Sequence, residues 1–333
     1  MTGPVRFQLT DEQRALKSAT RELLAARFDR DRLRAAVDDP APDRALWREL
    51  GAAGFFALRL PEEAGGVGLG LPEAVLVFEE AGRALLPGPL VACQLLAGAV
   101  DGVADGERIA GLCDGDREPV LWEHPGACDE LILLEGGAPA LAYGPGGAQE
   151  CTAGAYRSVA GRVSRAPFAS VDPLTPLARV TDHPRTAPLN GPDVVRLRRE
   201  AALLTAAQQL GSALRTVEMA VGHARVRTQF GAPIGSFQVV KHLCAQMLVR
   251  AEIARSAVYA ASVTGEAAEV AGAKLLADEA AVRNARDCLQ IHGGTGFTWE
   301  ADVHLHLKRA WLRSGSWGTA GEAEELLAAR LVG

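Results

Sequence analysis

Between Phe237 and Val258 one apolar position recurs at alternating steps of three and four: Phe237, Val240, Cys244, Met247, Ala251, Ala254 and Val258. An α-helix brings such a series onto one face, and a seam with this spacing is suited to packing on neighbouring helices. The flanking segments carry the same signature. Asp193 to Arg227 predicts a single helix about 50 Å long at 1.5 Å per residue. Ala267 to Gln290 predicts a third helix, rich in alanine and therefore able to approach its neighbours closely. Shorter helical patterns follow Glu300, so residues 193–333 read as a C-terminal helical bundle.

The N-terminal part is helical as well. LTDEQRALKSATRELLAARF, residues 9–28, opens with a capping box: Thr10 as N-cap and Gln13 three residues on. Leu16, Ala19, Leu23 and Leu24 then share a helical face. A second helix is predicted over Arg44 to Ala53. Glycines 65, 66, 68 and 70 form a loop, Pro72 suits the first turn of the next helix, and Pro87 to Pro89 ends it. The Gly cluster lacks the G-x-G-x-x-G spacing of a dinucleotide fingerprint and reads as a close-packed loop.

From about Gly115 to Pro192 the helical period disappears. Short runs such as PVLW, ELILL, PALAY and RSVAGRV, punctuated by Pro and Gly, predict strands of a small β domain. The expected organisation is an N-terminal helical domain over 1–114, a short middle β domain over 115–192 and the bundle over 193–333. The fold class is mainly α with a small β domain.

The formal charge of −6 argues against a nucleic-acid partner, because phosphate neutralisation needs clustered Lys and Arg. Six dispersed cysteines, with no C-x-x-C pair and no His cluster beside them, predict reduced thiols and no metal site. No apolar run reaches the roughly 18 residues of a membrane span, and a cytoplasmic protein is expected.

Two connections in the bundle carry more chemistry than a turn needs. RTQFGAPIGSFQ, Arg227 to Gln238, holds a cation, amides and aromatic rings. LQIHGGTGFTWEADVHLHLKRA, Leu289 to Ala310, follows the third helix and exposes backbone amides at Gly293, Gly294 and Gly296, with Gln290 beside them. Arg pairs with phosphate oxygens, Phe230 can cover a ring, and bare backbone approaches a diphosphate.

These two motifs, with F-Q-L-T-D-E-Q, L-P-E-E-A-G-G-V-G-L-G-L and E-E-A-G-R-A-L-L-P-G-P-L nearer the N-terminus, resemble the acyl-CoA dehydrogenase family across nearly the whole chain. The resemblance implies an acyl-CoA dehydrogenase-like fold: an N-terminal helical domain, a short middle β domain and a C-terminal four-helix bundle. It implies FAD as cofactor, an acyl-CoA substrate and an electron-accepting flavoprotein. In the family one protomer's β domain holds the flavin ring while the neighbour's bundle grips the ADP half. By carry-over Arg227, Gln229, Phe230, Gln238, Gln290, Gly293, Gly294 and Gly296 lie on the ADP side, and Thr319 near the flavin.

The chain departs from the family on the ring side. The family's catalytic glutamate often lies in an E-G-T motif; here the tripeptide is Trp317-Gly318-Thr319, and Trp cannot accept the proton. A second family position for the base falls on Ala201. Its neighbour Glu200 is the remaining catalytic candidate, against a reading as a solvated charge. No T-E-P-x-x-G-S-type segment is present. The loss of ring-side motifs alone resembles the short subunit of mixed bacterial assemblies, which implies a longer acyl-CoA dehydrogenase-like partner, with a homo-oligomer as the alternative. A purely structural subunit, or a different reaction on the same scaffold, are the other readings. His292, His304 and His306 read as surface or packing histidines, Trp299 and Trp311 as gap-fillers between helices, and Arg196 to Arg199 as a solvated face.

Overall fold

The computed structural model describes residues 8–136, 154–184, 187–189 and 193–332. The chain opens with helices α1 (Asp11–Arg27), α2 (Arg30–Asp38), α3 (Arg44–Ala52), α4 (Leu71–Arg83) and α5 (Leu90–Leu96). The capping box starts α1 as expected: the Thr10 hydroxyl accepts from the Gln13 N–H, and the Gln13 side chain accepts from the Thr10 N–H.

Strands β1 (Ala110–Asp114), β2 (Leu121–Glu123), β3 (Glu130–Glu135), β4 (Gly154–Val159), β5 (Ser164–Phe168), β6 (Leu177–Asp182) and β7 (Ala187–Pro188) follow. They form one sheet in the order β1-β3-β4-β7, with β1 and β3 parallel, and a second, antiparallel sheet in the order β2-β6-β5. PVLW, ELILL and RSVAGRV correspond to β2, β3 and β4; PALAY lies outside the described residues. Strand β1 carries no alternation that announces it, because all five of its residues are buried.

The bundle consists of α6 (Val194–Val226), α7 (Gln238–Thr264), α8 (Ala267–His292), α9 (Val303–Ser314) and α10 (Ala320–Val332), with a small hairpin of β8 (Thr228–Gln229) and β9 (Ala232–Pro233) between α6 and α7. Helix α8 touches α6, α7, α9 and α10. The predicted seam is realised in its second half, where Met247, Ala251, Ala254 and Val258 are fully buried. Helix α4 crosses α6 backbone to backbone: a Cβ on Gly82 would lie 2.0 Å from the Gln208 carbonyl oxygen, and one on Gly211 1.8 Å from that of Glu79. Among the described residues no helix is long and apolar enough to cross a membrane.

Long-range ion pairs lock these layers together. Glu79 and Glu80 of α4, both buried, take Lys17 and Arg21 of α1, and Glu79 also accepts from Tyr259 of α7. Arg309 of α9 donates to Asp172 at 2.5 Å and to the Leu86 carbonyl, joining the β domain, the end of α4 and the bundle.

The solvated reading of Arg196 to Arg199 is corrected at Arg198. Its side chain is fully buried and donates to Asp114, Asp116 and the carbonyls of Leu134 and Gly136, so it anchors α6 to the sheet. Trp299 and Trp311 also depart from expectation. They are 54% and 41% exposed, Trp299 in the connection before α9 and Trp311 on its outer side, where Lys308 and Arg286 respectively lie over their rings. His306 is a packing histidine, its Nδ1 2.8 Å from the Ser212 hydroxyl.

Candidate functional site

Eight of the sequence-predicted residues cluster at one end of the bundle. Helix α6 ends at Val226 and the chain reverses through β8 and β9, with Thr228 opposite Pro233 and Gln229 opposite Ala232. The loop is two residues long, Phe230 at φ 51° and Gly231 at φ 80°. Such loops need left-handed φ at both positions to match the strand twist, which suits Asn-Gly and strains a bulky side chain. Phe230 is nevertheless 95% exposed, touching its own chain through an edge contact with Phe237. Arg227 and Gln229 are exposed beside it, and among the described residues no acid pairs with the Arg227 guanidinium. Helix α7 then starts at Gln238, whose side chain lies 3.0 Å from His242, and its N-terminus has no side-chain cap.

The second motif meets the first at the ends of α6 and α8. His223, one turn before Arg227, stacks on His292, the last residue of α8, with ring centroids 4.1 Å apart. Gln290 is exposed, and Gly293 ends the helix at φ 62°. Gly296 has a packing reason to be glycine: its Cβ would lie 2.8 Å from that of His292. Gly294 has none, since a Cβ there would meet nothing within 4 Å. The bare backbone at Gly294 is not required by this chain's own packing.

Glu200 and Thr319 are elsewhere. Glu200 lies near the start of α6, about 40 Å along the helix from its end at 1.5 Å per residue. It is buried, correcting the solvated reading, and both its carboxylate oxygens accept from Arg59, at 2.7 and 2.9 Å. Thr319 is the first residue of a capping box on α10. Its N–H and hydroxyl donate to Glu322, and the Glu322 N–H donates back to the hydroxyl.

Trp317 lies in the α9–α10 connection at φ 56°, half-buried against the core. With Leu312, Arg313, Leu112, Asp114, Arg117 and Leu121 it lines a cavity of about 220 Å³ between the sheets and the end of α9. Ion pairs surround this space. Arg117 donates to both oxygens of Glu322, tying the β1–β2 connection to α10. Burial pushes the Glu322 carboxyl up, but the bonds from Arg117 and Thr319 outweigh it and hold it below the usual range. Beneath the loop Lys274 pairs with Asp278 and donates to the carbonyls of Arg313 and Gly318. Burial lowers the Lys274 ammonium and raises the Asp278 carboxyl, and their pairing opposes both shifts.

Sequence reasoning missed Arg59, Arg117, Glu322, Lys274 and His223. The two-residue loop was legible in principle, as Phe-Gly between short extended pairs.

This helix–sheet–helix architecture is that of a known class. The acyl-CoA dehydrogenase N-terminal domain matches residues 10–103 and the C-terminal domain matches residues 197–331. The chain belongs to the acyl-CoA dehydrogenase family, whose members are FAD-dependent oxidoreductases. It is 36% identical over 304 residues to acyl-CoA dehydrogenase IpdE2 of Mycobacterium tuberculosis, covering 90% of this chain and 91% of that protein. It is also 36% identical to acyl-CoA dehydrogenase FadE34 of the same organism, over 84% of this chain and 41% of the longer FadE34. Among solved structures, a chain of the ChsE4-ChsE5 complex from M. tuberculosis superposes with a TM-score of 0.81 at 23% identity, over 98% of this chain and 99% of that one.

Proposed function

We propose that this chain is the short subunit of a mixed acyl-CoA dehydrogenase assembly, lending the ADP-side contacts to a flavin whose ring sits in a longer partner. One observation carries the reading: a strained, 95% exposed Phe230 at the tip of the hairpin, beside an Arg227 with no acid partner among the described residues. Strain of this kind costs about 1–3 kcal/mol and persists where a function needs it. The open backbone at Gly294 and the uncapped start of α7 point the same way.

The hairpin end fits the ADP half of FAD. Arg227 would pair with phosphate oxygens, Phe230 would cover a ring, and Gln229, Gln238, Gln290 and the backbone of Gly293, Gly294 and Gly296 would supply hydrogen bonds. Bound FAD would supply the hydride acceptor for α,β-dehydrogenation of an acyl-CoA thioester.

The ring side does not fit the same cofactor. Trp317 replaces the base, Thr319 is used in capping α10, and the Arg117–Glu322 pair spans the space beside them. Glu200 is a poor base, because Arg59 occupies both of its oxygens. The catalytic carboxylate therefore belongs to the partner. The two-protein ChsE4-ChsE5 complex supports a mixed assembly, and the Tcur3481-Tcur3483 steroid ACAD, of the same fold, supports a sterol-derived acyl group.

Co-expression with a longer family subunit tests this. The expected product holds two FAD for every four chains, and this chain purified alone is colourless or only weakly yellow. Arg227→Ala should lower the flavin content of the assembly without dissolving it. Stoichiometric FAD and full turnover by the chain alone would refute the proposal. Unchanged flavin content in Arg227→Ala would leave a purely structural subunit.

A further inference from the structure

The stacked pair His223 and His292 is the one cluster of titratable groups at the hairpin end that the reading above leaves unused. The rings lie 4.1 Å apart and 21° from parallel, directly beneath Arg227 and the Gly293 turn. His292 Nδ1 is 2.8 Å from the Cys288 carbonyl oxygen. A carbonyl only accepts, so Nδ1 carries the hydrogen, and in the neutral ring Nε2 keeps its lone pair. Protonation would turn Nε2 into a donor. Among the described residues neither imidazole has an acid partner.

The surroundings of the pair are mostly cationic or apolar. Arg227 faces it from just beyond the end of α6, and Arg215 lies nearby around Cys288. Helix α8 brings Cys288, whose thiol burial pushes up to about 12, and α7 brings Cys244. Asp287 of α8 is already paired with Arg250 of α7. The connection and α9 add the apolar Ile234, Val303 and Leu307 to the same cluster. Burial, then His292, then Arg227 hold the His223 imidazole below its usual range. Two stacked imidazolium rings beside an arginine would repel each other. An incoming diphosphate reverses that balance: it neutralises Arg227 and favours a positive ring below it.

We propose that His223 and His292 form a proton-accepting floor to the nucleoside diphosphate site, so that the ADP half of a flavin is gripped together with one proton. The inference rests on the ADP-side reading above. The proton comes from solvent and resides on one imidazole of the pair. Affinity is then greatest at low pH and falls as pH rises through the imidazole value in the complex.

Calorimetric titration of the flavin-stripped mixed assembly with ADP at about pH 6 and about pH 8, in two buffers of different ionisation heat, reads both affinity and proton uptake. Binding about fivefold tighter at the lower pH, with net uptake of a proton, is expected from one added charge–phosphate contact. His223→Gln and His292→Asn, each keeping a polar side chain, should abolish the uptake and flatten the pH dependence. A purely structural role for the pair would leave the proton count untouched in wild type and variants alike. Equal affinity at both pH values without uptake overturns the inference and leaves the ADP-side reading standing. Absence of ADP binding at both pH values overturns that reading as well.

Discussion

The two polar regions of this molecule are built on opposite logic. Around Trp317 the cations are matched within the chain: Arg117 by Glu322, Arg198 by Asp114 and Asp116, Lys274 by Asp278. At the hairpin end Arg227 and Phe230 are exposed, and among the described residues no acid answers the arginine. A buried, paired cluster is complete in the folded chain, because each charge has met the partner that offsets its desolvation. A strained ring in solvent and an unanswered cation stabilise nothing here, and they gain a reason only from a group outside the chain. Within one chain, one polar region is closed on itself and the other stands open.

Removing one charge from each region breaks or sharpens this contrast most strongly. Arg198→Met takes away the buried guanidinium that donates to Asp114, Asp116 and the Gly136 carbonyl. Loss of one partner from a buried ion pair costs about 3–5 kcal/mol. Arg227→Ala should stay within about 0.5 kcal/mol, as surface substitutions do. Urea unfolding of the two variants measures both, and comparable losses would erase the distinction between the regions.

A smaller effect separates them by pH. Burial pushes the Asp172 carboxyl up, but Arg309, the Thr175 hydroxyl and the Leu174 N–H outweigh it and the net direction is down. A depressed carboxyl contributes stability that is complete above its unfolded value, about pH 4, and is lost as pH falls through the folded value. Asp172→Asn should cost about 2–3 kcal/mol near neutrality, the worth of hydrogen bonds to a charged group. Its stability should then change less than that of wild type on acidification. A parallel acid profile would place the acid-sensitive lock elsewhere.

The helices were legible because their signals are local. The capping box at Thr10 and Gln13 and the seam through Met247, Ala251, Ala254 and Val258 need only neighbours within a few turns. The hairpin motif was legible for the same reason, as twelve consecutive residues. The corrected readings involve partners far apart in the chain. Arg198 reads as a solvated charge until β1 brings Asp114 beneath it, and Glu200 until Arg59 reaches it from before α4. Strand β1 was missed because both its faces are covered, which removes the alternation that marks a strand. Trp299 and Trp311 reversed their expected roles because apolar area alone does not say which side of α9, or of the connection before it, faces the core.

A change at the tip of the hairpin most directly separates folding from function. Phe230 occupies the first position of a two-residue loop with φ 51°, and Gly231 follows at φ 80°. Asn-Gly is the pair such a loop prefers, because Asn tolerates left-handed backbone far better than a bulky ring. Phe230→Asn removes a 95% exposed side chain that makes little contact with its own chain. Relief of the backbone strain should therefore stabilise the fold, by about 1 kcal/mol. If the ring covers part of a partner's nucleotide, the same substitution should lower flavin retention in the mixed assembly. A gain in unfolding free energy alongside a loss of flavin means the strain is kept for the ligand. A gain with flavin retention unchanged would mean that the exposed ring serves no cofactor, and the open end of the bundle would need another occupant.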